Sequence, residues 1–189
     1  MFFALTGLHR AGKSTFANTV ATKHGFISIN KNELLAKICK DETGSDDWKA
    51  WHKYNVDANY EEFIKKMVSY LPLDKNIILD SVHSNLEWEL IKKYIPNAQL
   101  IYINSFKSIR EKRWKLEETT DLETKDAQRI AYWHSNHGFS QCLISEACWC
   151  INGFGSTDLI ERSFLELLQL TKENDTDQPI KIKKKGMIL

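Results

Sequence analysis

Cysteine and proline are scarce in this 189-residue chain, with four and three respectively, and there are only eight glycines. Cys39, Cys142, Cys148 and Cys150 lack the density of a disulfide scaffold, so a reducing cytosol fits and a cytoplasmic protein is expected. An excess of charge is also missing: 26 Lys and Arg stand against 25 Asp and Glu. A strongly basic surface that grips nucleic acid without sequence preference is therefore not expected. No apolar run is long enough to span a bilayer, so no membrane partner is expected. The N-terminus lacks a charged leader region and a cleavage-site pattern, and no internal repeat or low-complexity segment stands out. What the chain does have is core: 42% of its residues are hydrophobic, six of them Trp, enough for one domain.

Two of the glycines fall in GLHRAGKS, Gly7 to Ser14, directly behind the apolar run FFAL. Four residues separate Gly7 from Gly12, and Lys13, Ser14 and Thr15 follow, which is the spacing of a phosphate-binding loop. Main-chain N–H groups can surround a phosphate chain only where the backbone wraps closely, so a Cβ at the turn positions is in the way. The helix that follows aims its free N–H groups at the anion. Gly7, Leu8, His9, Arg10, Ala11, Gly12, Lys13, Ser14 and Thr15 are thus read as the nucleotide-binding segment. Lys13 would reach the β/γ-phosphates and the Ser14 hydroxyl would ligate Mg²⁺. Arg10 either adds charge to this cradle or points to solvent.

Short apolar runs alternate with stretches of helical period. Strands are predicted at 2–6, 26–29, 76–80, 98–104 and 147–152. Helices are predicted at 13–24, from the Asn30 cap with Glu33, from the Ser84 cap with Glu87 to about Tyr94, at 106–118, at 125–135 and at 157–172. The last is amphipathic through Leu159, Ile160, Phe164, Leu167 and Leu168. Residues 41–56 read as a loop or insertion leading into a helix near 57–71. There Trp48, Trp51 and Tyr54 either stack a base or pack the insertion on the core. Residues 119–126 look mobile, and 138–146 are helical or irregular. Residues 174–189 read as a poorly ordered tail whose Lys181, Lys183, Lys184 and Lys185 are solvated. Strands apolar on both faces and separated by helices indicate an α/β fold with a parallel sheet covered on each side.

Asp80 ends the third strand. Ligands gather at the carboxyl ends of parallel strands, so Asp80 would face the glycine loop and hold a Mg²⁺-bound water or an acceptor hydroxyl; the alternative is a helix cap. Arg110, Arg113, Lys115 and Arg129 surround a polar connector in the manner of a closing lid. Arg110 reads as part of a solvated charged helix, while Arg113 and Arg129 serve either role. Cys148 and Cys150 flank Trp149 and read as small buried hydrophobes of a strand. The His134 and His137 pair reads as surface rather than as metal ligands.

These residues together carry a family resemblance. FALTGLHRAGKSTFA, ISINKNELLAKI, IILDSVHSNLEWE, LIYINSFKSIREKR and ACWCINGFGSTDLI occur in the order found in the P-loop nucleoside and nucleotide kinases. The chain most resembles dephospho-CoA kinase and the archaeal adenylate-kinase-related proteins, over residues 1 to about 170. The resemblance implies a three-layer P-loop sandwich with a five-stranded parallel sheet of order 2-3-1-4-5, and use of ATP with Mg²⁺. It also implies an acceptor-side helical insertion over about 30–70, a lid over about 113–129, Arg113 and Arg129 as lid arginines, and Asn152 with Gly153 near the adenine. The kinase domain would span 1–173. Transfer of the γ-phosphoryl group would be to a nucleotide, nucleoside or CoA-precursor-like acceptor. His83 and Lys37 are candidate contacts to an acceptor phosphate. Departures stand at Asn30, Lys31 and Asn32 where the family places an Asp, at His83 for an Arg, at Glu117 for a second lid Arg, and at Cys148 for a strand Asp. They leave a second reading open, a nucleotide-binding regulatory ATPase with weak or no acceptor kinase activity. A third is a kinase of nucleic-acid ends tethered by the Lys-rich tail. No Asn/Thr-Lys-x-Asp stretch is present to select guanine.

Overall fold

The β-rich run at the start forms β1 (Phe2–Thr6), and every residue of it is buried. Side chains alternate across a strand, so Phe2 and Ala4 join one apolar cluster while Phe3 and Leu5 join another on the opposite face. The same alternation divides β3 (Ile77–Asp80): Ile77 and Leu79 face one way and Ile78 the other. A computed structural model of the chain describes residues 1–114, 121–136 and 146–174, excepting the side chains of 129–130, 132–136 and 173–174.

With β2 (Ile27–Asn30), β4 (Ala98–Asn104) and β5 (Trp149–Asn152), these strands make one five-stranded parallel sheet of order β2-β3-β1-β4-β5. This is the expected order. On one face lie α2 (Lys31–Thr43), α3 (Trp48–Ser69) and α4 (Asn85–Tyr94), which supply Leu35, Ile38, Phe63, Ile64, Met67, Trp88 and Ile91 to the core. On the other lie α1 (Lys13–His24) and α7 (Thr157–Asn174), with Phe16, Val20, Ile160, Phe164 and Leu167. Phe164 anchors that face, its ring 5.7, 5.8 and 5.4 Å from those of Phe3, Phe16 and Phe26. The short α5 (Lys107–Trp114) and α6 (Leu122–Asn136) stand beside the β4 end of the sheet.

Several expectations are corrected. Residues 48–56 are helical, not a loop: Asp47 caps α3 by accepting from the Ala50 N–H at 3.2 Å, and Trp48, Trp51 and Val56 pack on the core. Tyr54 stays exposed. The helix is interrupted at Asn59 (φ −163°, ψ 95°), whose side chain accepts from the Glu62 N–H and restarts it. Cys148 and Cys150 are exposed, because β5 is an edge strand and only Ile151 of its residues is buried. Leu159 is exposed on α7 although its neighbour Ile160 is buried. Ser84 caps α4 as expected, accepting from the Glu87 N–H, but the Glu87 carboxylate turns to the His83 N–H instead of back to the cap. Lys115, Glu117, His137, Cys142, most of 138–146 and the tail beyond 174 lie outside the described residues, as does the His134 side chain.

Candidate functional site

The segment from Thr6 to Ser14 turns the chain from β1 into α1 at the carboxyl end of the central strand. The turn demands glycine at both ends. Gly7 has φ 137°, and a Cβ there would run into the Ile103 carbonyl. Gly12 has φ 105°, and a Cβ there would lie 2.9 Å from the Gly153 carbonyl oxygen. Between them Arg10 takes a left-handed φ of 57°, a conformation that costs a non-glycine residue on the order of 1–3 kcal/mol. Its guanidinium lies 5.6 Å over the Trp114 ring, and the His9 ring meets the same indole at 6.0 Å. Arg10 is therefore exposed but held.

Gly12 is the N-cap residue of α1 and offers no side-chain cap, so the first N–H groups of the helix are left for a ligand. The Lys13 ammonium donates to the Gly7 and Leu8 carbonyls, each at 3.0 Å, which folds its charge over the loop. The Ser14 hydroxyl donates to Asp80 Oδ2 at 2.6 Å. That pairing follows from register. Asp80 of β3 lies beside Leu5 of β1 and Asn30 of β2, so it comes to the same end of the sheet as the loop.

Helix α5 clasps the loop from the β4 side. Arg113 Nη1 donates to the Arg10 carbonyl at 3.0 Å and Nη2 to the Gly153 carbonyl at 2.8 Å. Arg110, three residues earlier on the same helical face, is buried rather than solvated. It donates to the His9 carbonyl at 3.1 Å and to Asp126 of α6 at 2.7 Å. Lys107 pairs with Glu123 of α6 at 2.7 Å, a hydrogen bond that raises its pKa above the ordinary lysine value. Burial raises the Tyr102 phenol on β4, Cys150 and Asp126 adding to the rise and Arg110 opposing it.

A cavity of about 440 Å³ opens between the loop and the β5–α7 turn, lined by Arg10, Gly12, Lys13, Ser14, Thr15, Arg113, Gly153, Gly155, Thr157 and Ile160. Its size is that of a small-ligand site. Asn152 ends β5 one residue before this lining and is exposed, while Gly153 itself is in the wall. The Gly153 N–H is fixed by the Asn104 carbonyl at 2.7 Å, the continuation of the β4–β5 pairing. Another cavity, of about 370 Å³, lies at the opposite end of the sheet by Met1, Pro96 and Thr171, away from the carboxyl ends where ligands of parallel sheets bind.

Asp126 and Thr157 were not singled out from the sequence as site residues, and Arg110 was weighed but read as solvated. The three-residue spacing of Arg110 and Arg113 on one helix is the signal that could have placed Arg110 with Arg113. Lys37 points away to Asp41 at 2.6 Å and lies 5.0 Å from the Tyr70 ring. The His83 ring meets the Ser81 hydroxyl at 3.1 Å, next to Asp80 in the chain. The Arg129 side chain is outside the described residues. Among the described residues no cluster of His, Cys, Asp and Glu holds a metal ion by itself, and no helix is long and apolar enough to cross a membrane.

No family model matches the chain, and no curated protein matches it. Solved structures do. An uncharacterized protein from Eubacterium ventriosum is 17% identical, with TM-score 0.58 over 90% of this chain and 98% of that one. Shikimate kinase from Bacteroides thetaiotaomicron is 16% identical, with TM-score 0.54 over 91% of this chain and 98% of the other. A sugar kinase from Janibacter sp. is 14% identical, with TM-score 0.51 over 88% and 93%. The shared property is the fold, an α/β arrangement around a parallel five-stranded sheet of order β2-β3-β1-β4-β5.

Proposed function

We propose that the chain is a P-loop phosphotransferase that uses ATP and Mg²⁺ to phosphorylate a small acceptor. The observation that carries this reading is the Ser14 hydroxyl bonded to Asp80 at 2.6 Å beneath a glycine-walled loop and the Lys13 ammonium. The loop N–H groups and Lys13 would cradle the phosphates, and the cavity toward Gly153 and Thr157 would take the nucleoside. Ser14 and Asp80 form an oxygen-donor pair suited to Mg²⁺, which when bound neutralises charge on the β- and γ-phosphate oxygens. In transfer, an acceptor hydroxyl oxygen bonds to the γ-phosphorus, the bond to the bridging oxygen breaks, ADP leaves, and the hydroxyl proton passes to Asp80 or water. Arg113, released from its carbonyl partners, would supply positive charge to the migrating group. The likeness in fold to a shikimate kinase and a sugar kinase supports small-molecule phosphorylation.

The second reading, a regulatory ATPase without an efficient acceptor reaction, is favoured by one feature. Asn30, Lys31 and Asn32 follow β2, and none is a carboxylate base; the Asn30 side chain instead accepts from the Asn32 N–H as a helix cap. ADP release from ATP and Mg²⁺, with and without candidate acceptors, separates the two. Acceptor-dependent release supports the kinase; bound nucleotide without it supports the switch. Lys13→Ala is expected to lower turnover by roughly 100-fold or more with an unchanged circular dichroism spectrum. Unchanged turnover would remove the loop from the reaction.

A further inference from the structure

The carboxyl ends of β2 and β3 form the part of the sheet crest that the nucleotide cavity does not use. Asn30 and Asp80 are register partners there, Lys31 opens α2 directly after Asn30, and Ser81 and His83 follow Asp80. Lys31 is buried, and its ammonium donates to Glu87 Oε1 at 2.7 Å, with side-chain exposures of 7% and 2% for the pair. Glu87 Oε2 accepts from the His83 N–H at 2.8 Å, so both carboxylate oxygens are used and the lysine charge is cancelled where it stands. The His83 ring is engaged with Ser81.

Arginine is the residue that grips phosphate esters by paired hydrogen bonds. The arginines of this chain are Arg10, Arg110, Arg113, Arg129 and Arg162, so none occurs between Ala11 and Ile109, the stretch that among the described residues builds this end of the sheet. Arg110 and Arg113 belong to the β4 side, held on Asp126 and on loop carbonyls. Asp80, bonded to the Ser14 hydroxyl at this crest, adds no cation for an anionic group to pair with. We infer that the acceptor at this end is an uncharged hydroxyl compound, of the polyol, sugar or nucleoside kind, and not a phosphate ester: its recognition is by hydrogen bonds beside the cancelled Lys31–Glu87 charge pair. The inference rests on the kinase reading and narrows it. Its chemistry is the transfer already written, from ATP to a neutral alcohol whose proton leaves as the phosphate ester forms.

Calorimetry tests it in two steps. ADP with Mg²⁺ is titrated first; no binding there defeats the kinase reading itself. With ADP and Mg²⁺ bound, AMP, dephospho-CoA and inorganic phosphate are then titrated in turn. The expected result is no second site for any of the three below millimolar concentration. A saturable second site for one of them, with ADP retained, overturns the inference and leaves the loop intact. In Glu87→Gln the lysine charge is no longer cancelled, and inorganic phosphate is expected to bind roughly tenfold more tightly than to the unaltered protein. The measurement on the unaltered protein decides even if that variant does not fold. In turnover, ADP release stimulated by uncharged nucleosides or sugars supports the assignment, and release stimulated by their phosphate esters alone overturns it.

Discussion

Gly153 shows how much of the site rests on single atoms. Its carbonyl takes the Arg113 guanidinium, its N–H is fixed by Asn104, and a Cβ on it would collide with the Ala11 carbonyl and the Ile103 side chain. Two stretches of backbone, one from each side of the cavity, therefore touch at this residue. Gly153→Ala must push the β5–α7 turn away from the loop. The expected outcome is weaker ATP binding by roughly tenfold or more, with inorganic tripolyphosphate affected less because it needs only the loop. Isothermal titration with both ligands checks it, and equal losses would show that the loop itself had been distorted. The resemblance placed Gly153 with Asn152 near the adenine but gave no reason for it to be a glycine. The requirement that it lack a side chain comes from a residue more than a hundred positions earlier, and no local pattern carries such information. Gly7, Gly12, Lys13 and Ser14 were legible because their spacing falls within eight consecutive residues, although the carbonyls that leave no room for a Cβ at the two glycines, those of Ile103 and Gly153, lie far along the chain.

Elements were legible in proportion to how locally their causes act. The buried strands β1, β3 and β4 declared themselves by apolar runs between helical stretches, and their order followed from the family resemblance. α3 was missed over residues 48–56 because Gly44 and Ser45 punctuate the chain and charges separate the aromatics, while the deciding contacts are tertiary. Arg110 was misread for the same reason: a charged helix looks solvated until Asp126, sixteen residues on, is packed against it. Arg110→Met is expected to cost about 3 kcal/mol by leaving Asp126 without its cation, read from urea midpoints, whereas Lys107→Met on the exposed face should cost little. Helices α3 and α4 are joined by Glu61, whose carboxyl is held below the usual range by hydrogen bonds from Lys93 and then Tyr94. A carboxyl with a depressed folded pKa stabilises above its unfolded value of about 4.3 and loses that contribution as pH falls through the folded value. Glu61→Gln should therefore flatten the loss of stability on the acid side and change nothing in its shape above pH 6, as urea titrations from pH 3 to 7 would show.

The sheet divides the molecule into two apolar layers, one with α2, α3 and α4 and one with α1 and α7, and the three central strands β1, β3 and β4 contribute alternate residues to both. Opening either layer uncovers an apolar face of strands whose alternate residues hold the other layer, so the whole should unfold as one unit. Phe164→Ala removes the anchor of the α7 layer, and Ile64→Ala removes a fully buried residue of the α3 layer. Each is expected to cost about 3–5 kcal/mol and to lower a single transition shared by tryptophan fluorescence and circular dichroism. The glycine loop joins β1 to α1 and is braced by α5 and the β5–α7 turn, so it depends on the packed sheet. ADP with Mg²⁺ at about one hundred times its dissociation constant should then add about 2.7 kcal/mol to either variant, as to the unaltered protein. Two separated transitions, or a ligand that stabilises the Ile64→Ala protein but not the Phe164→Ala protein, would mean that the layers fold apart and that the site belongs to one of them.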